Sequence, residues 1–132
     1  MKKLFVLSII LGFFLSCDET DDVNRDTELI GTWKLVELYS DPGDGSGRFN
    51  RVNSEKVIIF KEDGALTSNG SICEIDNVTT NPTSGTYSIT DSTFRSDDCN
   101  NPDYDYEFIK TEGTITVYYP CIEGCAARYR KQ

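Results

Sequence analysis

The sequence predicts an all-β chain folded as a small up-and-down antiparallel barrel of about eight strands. Three observations carry this expectation. No long segment keeps the 3.6-residue apolar period of an amphipathic helix. The chain reads instead as short runs rich in Val, Ile, Thr, Tyr and Phe, residue types that suit a pleated, half-buried surface. Clusters of Gly, Asn, Asp and Pro separate these runs, as turns between strands require. Closing such a sheet on itself buries one face and leaves no open edge.

Taken in order, Asp26-Thr27-Glu28-Leu29-Ile30 suits one helical turn with Asp26 or Thr27 as its cap. The strand runs then fall at 31–39, 56–62, 64–69, 84–90, 92–96, 104–110, 113–120 and 125–131. Lys61-Glu62-Asp63-Gly64 holds the Asp-Gly of a tight hairpin. Thr90-Asp91-Ser92 and Glu112-Gly113 mark two further short turns. The loop from Ser40 to Asn50, with glycines at 43, 45 and 47, reads as mobile and strand-free. Period-two alternation puts Trp33, Leu35 and Glu37 on one face with Gly31, and Ile59, Tyr87, Ile89, Phe94, Tyr106, Phe108, Ile115, Val117 and Tyr129 on apolar faces. Val57-Ile58-Ile59-Phe60 is apolar on both sides, so its inner face is not readable from pattern.

The chain has 132 residues, with 22 acidic side chains, 13 basic ones and no histidine, for a net charge of −9. That length suits one domain. The acidity disfavours nucleic acid as a partner, because phosphates repel it. Lys2-Lys3 followed by an apolar run from Leu4 to Leu15 has the proportions of a secretory leader. At about 1.5 Å per helical residue the run is too short for a hydrocarbon core of roughly 30 Å. Phe14-Leu15-Ser16-Cys17 resembles a bacterial lipobox. The resemblance implies cleavage after Ser16 and lipidation of Cys17, whose acyl chains would hold the protein on a membrane at about 0.8 kcal/mol per buried CH₂. Asp18-Glu19-Thr20-Asp21-Asp22 resembles the acidic export signal of Bacteroidetes surface lipoproteins. It implies an outer-membrane, lipid-anchored protein at the cell surface, with the periplasmic face as the alternative. The expected organisation is thus a signal peptide at 1–16, an acidic tether at 17–26 and a barrel domain at 27–132.

Gly31-Thr32-Trp33 opens the first strand run directly after Leu29-Ile30. With Phe60-x-x-Asp63-Gly64, Gly85-Thr86-Tyr87-Ser88-Ile89 and a basic last strand, it resembles the small lipocalin-like lipoproteins of the Bacteroidetes over about 27–131. The resemblance implies a barrel closed at one end by an arginine of the last strand, Arg128 or Arg130, packed over Trp33. Such a cation–π contact is worth roughly 0.5–2 kcal/mol.

Setting Cys17 aside leaves Cys73, Cys99, Cys121 and Cys125, an even set suited to an oxidising compartment. Cys121–Cys125 with Cys73–Cys99, and the crossed pairing Cys73–Cys121 with Cys99–Cys125, both remain open. The spacing lacks the paired Cys-x₂-Cys of a zinc site. Asp41 and Asp44, and Asp97, Asp98, Asp103 and Asp105, lack calcium-loop spacing and read as solvated loops. No metal and no cofactor is expected. Without histidine a Ser-His-Asp triad is impossible, so no catalytic residue and no enzyme activity is expected. The expected role is a non-catalytic barrel that binds a small hydrophobic ligand, with Tyr39, Tyr104, Tyr106, Tyr118 and Tyr119 lining or rimming the site, because tyrosine serves apolar and polar surroundings alike. The alternative is a filled barrel acting as a structural or protein-interaction module on the cell surface. Ligand identity and oligomeric state are not readable from the sequence.

Overall fold

The structure, a computed structural model, describes residues 28–132. The expected signal peptide, the lipobox-like stretch with Cys17, the expected acidic tether and the expected helix cap at Asp26 or Thr27 all lie outside the described residues. Glu28 and Leu29 are helical, and nine strands follow: β1 (Gly31–Ser40), β2 (Arg48–Arg51), β3 (Val57–Phe60), β4 (Ala65–Ser68), β5 (Thr83–Ser88), β6 (Thr93–Arg95), β7 (Tyr106–Thr111), β8 (Thr114–Tyr119) and β9 (Cys125–Lys131). All pair antiparallel. β1 pairs with β3 on one side and β9 on the other, which closes an eight-stranded barrel of β1 and β3–β9. β2 stands outside this circuit. It pairs with the second half of β1, in line with β3.

The predicted architecture and eight of its strands are therefore present, with β2 added. The loop expected to be strand-free to Asn50 ends at Gly47 instead. Residues 41–47 are also tied rather than loose. The Asp41 carboxylate accepts hydrogen bonds from the amides of Gly43 (2.8 Å), Gly45 (3.2 Å) and Gly47 (3.3 Å). The Gly43 bond, with those of Gly47 and Gly45 behind it, holds its carboxyl below the ordinary aspartate range.

Two face assignments change. The β1–β9 register shifts between Leu35 and Glu37, a bulge that inserts Val36 and turns the strand over. Trp33 and Leu35 point inward, while Glu37 stands on the outer wall and pairs with Arg128 at 2.6 Å. Glu37 thus does not share the Trp33 face. In β3, Ile58 and Phe60 are buried and Ile59 is not. The strand's inner face is set by its pairing with β1, which its uniform composition could not show.

The hairpins follow their turn residues. Gly64 has φ +80° between β3 and β4, a conformation that costs a side chain strain and glycine little. Gly85 serves a different need, because a Cβ there would collide with the carbonyl oxygen of Arg95. Gly85→Ala must push β5 from β6, and we expect a loss of about 1–3 kcal/mol, the usual range for overpacking. A thermal melt unchanged from the parent would contradict this.

The closed end of the barrel gathers around Trp33. Its indole N–H donates to the carbonyl of Leu29 at 2.7 Å, and both side chains are buried. Glu28 pairs with Lys110, and the Lys131 ammonium donates to the Glu28 carbonyl. The cation facing the Trp33 ring is Lys131, 5.4 Å from the centroid. Arg128 packs instead on Phe49 at 3.6 Å on the outer wall, and Arg130 is exposed opposite Lys34 and Thr114. This corrects the assignment of Arg128 or Arg130 as the closing residue. Both alternate with the inward Ala127 and Tyr129, so their side chains leave the barrel.

Candidate functional site

Besides the β1-to-β3 connection, the opposite end of the barrel is built by three more: residues 69–82 between β4 and β5, residues 96–105 between β6 and β7, and residues 120–124 between β8 and β9. Cys73–Cys99 ties the first to the second, and Cys121–Cys125 staples the third. This resolves the pairing left open by the sequence, with Cα–Cα distances of 5.5 and 5.8 Å. The 69–82 segment folds over the barrel mouth. Ile72, fully buried, plugs it. Asn69 imitates a strand residue, accepting from the Val57 amide and donating to the Glu55 carbonyl, each at 2.8 Å. The Thr83 hydroxyl donates to the Gly70 carbonyl at 2.9 Å and accepts from the Ile72 amide at 3.0 Å.

The latch of this lid is Lys56. Its side chain is fully buried, and its ammonium meets the Asp76 carboxylate at 2.7 Å, the Asp76 carbonyl at 3.1 Å and the Glu74 carbonyl at 3.4 Å. A buried ammonium is tolerated only when paired and hydrogen-bonded, and all three partners lie on the 74–76 stretch. The sequence reading missed Lys56. A signal was present, because Lys56, Ile58 and Phe60 alternate in phase and share the inner face.

Between the disulfides lies a depression of about 280 Å³ lined by Cys73, Glu74, Ile75, Asp76, Tyr119, Pro120 and Cys121. Beneath it the hydroxyls of Tyr119 and Tyr129 are buried, and neither has a hydrogen-bond partner among the described residues. The two phenols lie close enough to act on each other's ionisation as hydrogen-bonding neighbours, though neither hydroxyl has a partner in good hydrogen-bond geometry. Burial pushes both above the ordinary tyrosine range, and the Asp76 carboxylate adds to the effect on each. The consequence for stability has a definite sign. Up to about pH 10 both folded and unfolded chains keep these protons. Above it the unfolded phenols ionise while the folded ones do not, so the unfolded state binds fewer protons and stability falls as pH rises, by about 1.4 kcal/mol per pH unit for each such group. Tyr119→Phe with Tyr129→Phe should flatten this alkaline slope in urea titrations. An unchanged slope would place the cause elsewhere.

The five tyrosines expected at one site divide between two. Tyr104, Tyr106 and Tyr119 run together at the mouth, with ring centroids 4.8 Å apart for Tyr104 and Tyr106 and 6.0 Å for Tyr106 and Tyr119. Tyr39 and Tyr118 lie on the outer wall, where with Phe49, Gly124, Cys125 and Ala126 they line a groove of about 310 Å³. The bulge at Val36 explains the split, since it turns Tyr39 outward with Glu37. A further depression, about 410 Å³, lies over β5 and β6. It is polar, and its charged residues include the mutually paired Arg95 and Asp105. The nearby Asp98 accepts from the Ser84 amide at 2.7 Å, a structural use for one of the loop acids. Among the described residues no three Cys, Asp or Glu side chains converge as a metal-ligating group.

A closed eight-stranded barrel with a tryptophan-sealed base agrees with the comparison by family models. The model for the lipocalin-like domain matches residues 29–117. The chain belongs to the lipocalin-like domain family. Comparison with curated proteins and with solved structures returned no match. The match runs from Leu29, the residue that accepts the Trp33 N–H, to Val117 in β8. It therefore takes in the lid and the Lys56–Asp76 latch of this lipocalin-like domain. The interior is occupied by the chain's own side chains, since Trp33, Leu35, Ile58, Phe60, Leu66, Phe94, Ile115, Val117 and Tyr129 are all at most 1% exposed.

Proposed function

We propose that this lipocalin-like protein is a non-catalytic lipoprotein, anchored through Cys17 in the outer membrane and facing the cell surface in the manner of the Bacteroidetes type, that binds a small amphipathic ligand at the barrel mouth. The observation that supports ligand binding is the pair of buried hydroxyls of Tyr119, which lines the depression between the two disulfides, and its neighbour Tyr129, neither with a partner in good hydrogen-bond geometry among the described residues. A buried hydroxyl left unmet costs about 1–3 kcal/mol, and a ligand's polar group would recover it. The depression, about 280 Å³, is at the lower edge of small-molecule sites. The ligand is accordingly short, with its apolar part against Ile75 and Pro120. Access to the phenols requires the Glu74–Asp76 stretch to lift from Lys56.

A second reading rests on the filled interior: the barrel is an interaction module without a ligand. Native mass spectrometry of the full chain purified in detergent separates the two, followed by titration with short-chain fatty acids, sterols and porphyrins. Small-ligand binding predicts a co-purified mass or a titratable complex, weakened about 3- to 12-fold by Tyr119→Phe with Tyr129→Phe through the loss of a net hydrogen bond. No complex with any of these compounds would favour the module. An acyl mass on Cys17 and removal of the domain by protease added to intact cells test the anchor and the surface location.

A further inference from the structure

Among the described residues β2 is the one strand of the sheet with a single neighbour: it pairs with β1, and no described strand lies along its other edge. Free strand edges present unmet N–H and C=O groups, a template for another extended chain. Arg48, Asn50 and Arg51 on this edge are exposed. Among the described residues neither arginine belongs to an ion pair. Phe49 of the same strand packs tilted against Tyr39, ring centroids 5.3 Å apart, and lines the outer groove with Tyr118 and Ala126. On the same wall Lys34 lies opposite Arg130 across β1 and β9 and is held by Glu55 at 2.9 Å, as Arg128 is held by Glu37 at 2.6 Å. In a chain of net charge −9, Arg48 and Arg51 are thus two exposed cations, held by no carboxylate among the described residues, beside an aromatic groove.

We propose that the open edge of β2 and the Tyr39–Phe49–Tyr118 groove form a docking site for an extended acidic segment of a partner protein. The segment adds as a strand to Arg48–Arg51. Its main chain supplies the affinity and its side chains the selectivity: on the outer face an apolar side chain opposite Phe49 enters the groove and a carboxylate two residues away meets Arg51, while on the opposite face a carboxylate meets Arg48. Charge chooses this occupant. Antiparallel pairing of two β2 edges would set Arg48 of one copy against Arg51 of the other, and a basic segment meets the same repulsion. Nucleic acid is repelled by the chain as a whole. The site shares no lining residue with the mouth depression, so it stands or falls independently of ligand binding there.

The probe is a synthetic peptide of about ten residues whose centre carries Val or Tyr at the place opposite Phe49 and Asp or Glu at the places opposite Arg48 and Arg51, together with a copy in which lysines replace the acids. Both are titrated against the full chain in detergent, and backbone hydrogen exchange is followed at 48–51. The expected result is binding of the acidic peptide alone, with new protection of amides within 48–51. Arg48→Glu with Arg51→Glu should weaken it by about tenfold or more and admit the lysine peptide. Arg48→Gln with Arg51→Gln should weaken it without admitting the lysine peptide, and serves if the reversed variant folds poorly. Absence of binding to the parent chain, or binding that survives charge reversal, overturns the proposal. Protection of 48–51 before any peptide is added also overturns it. If that protection is lost when Asp18, Glu19, Asp21 and Asp22 become amides, the edge belongs to the chain's own acidic stretch. If it grows with protein concentration alongside a dimer, the edge belongs to a second copy.

Discussion

Asp76→Ala is expected to destabilise the protein by about 3–5 kcal/mol, the range for removing one partner of a buried ion pair. The size follows from Lys56, which is fully buried and would lose its counter-ion. Two carbonyls, of Glu74 and Asp76, remain as partners, and neither carries the formal charge that offsets desolvation. The lid must lift to let water reach the ammonium. Hydrogen exchange at 69–82 should therefore rise together with the loss seen in urea unfolding. Lys56→Met provides the contrast. It removes the buried charge and leaves Asp76, whose side chain is 30% exposed and can be hydrated in place. We expect a loss of about 1–2 kcal/mol, the cost of leaving the loop carbonyls without their donor. The double variant should recover most of the difference, since the two residues act as one unit. If Asp76→Ala costs no more than Lys56→Met, the latch is not what holds the lid.

Cys73→Ser is expected to cost about 3.5 kcal/mol, from the loop of sequence separation 26 that Cys73–Cys99 closes. This bond joins two long connections that otherwise meet through few regular hydrogen bonds. Its loss releases both the lid and the 96–105 segment at the mouth. Cys121–Cys125 spans a separation of only 4 and should contribute about 2 kcal/mol on the same chain-entropy reasoning. Unfolding of Cys73→Ser and Cys121→Ser measured side by side under oxidising conditions checks the order. Equal losses would mean that strain or residual structure, rather than loop length, sets the contribution of each.

Much of the barrel was legible because its signals are local. The alternation of Trp33 with Leu35, of Phe94 with its turn neighbours and of Ile115 with Val117 marks inner faces correctly. Asp63-Gly64 and Glu112-Gly113 mark hairpins that the structure contains. β2 escaped because Arg48-Phe49-Asn50-Arg51 holds a single strong strand former. Its extended form is imposed by hydrogen bonds to Glu37–Ser40 of β1. Lys56 escaped for a different reason. Its phase was readable, but a lysine is so seldom buried that charge outweighed pattern, and Asp76, 20 residues away, supplies what makes burial tolerable. The candidate site was half legible: Tyr104, Tyr106 and Tyr119 meet at the mouth, while one bulged residue sends Tyr39 to the outer wall.

The sequence alone determined the class of fold, the number and order of the barrel strands, the turns between them and the cysteines available for bonding, because period-two alternation and turn chemistry act over a few neighbouring residues. Tertiary structure decided the bulge at Val36, the inner face of β3, the cysteine pairing, the cation beside Trp33 and the lid held by Lys56. Each of these depends on which distant strand or loop lies opposite, and that is settled only when closure of the barrel sets all the registers together.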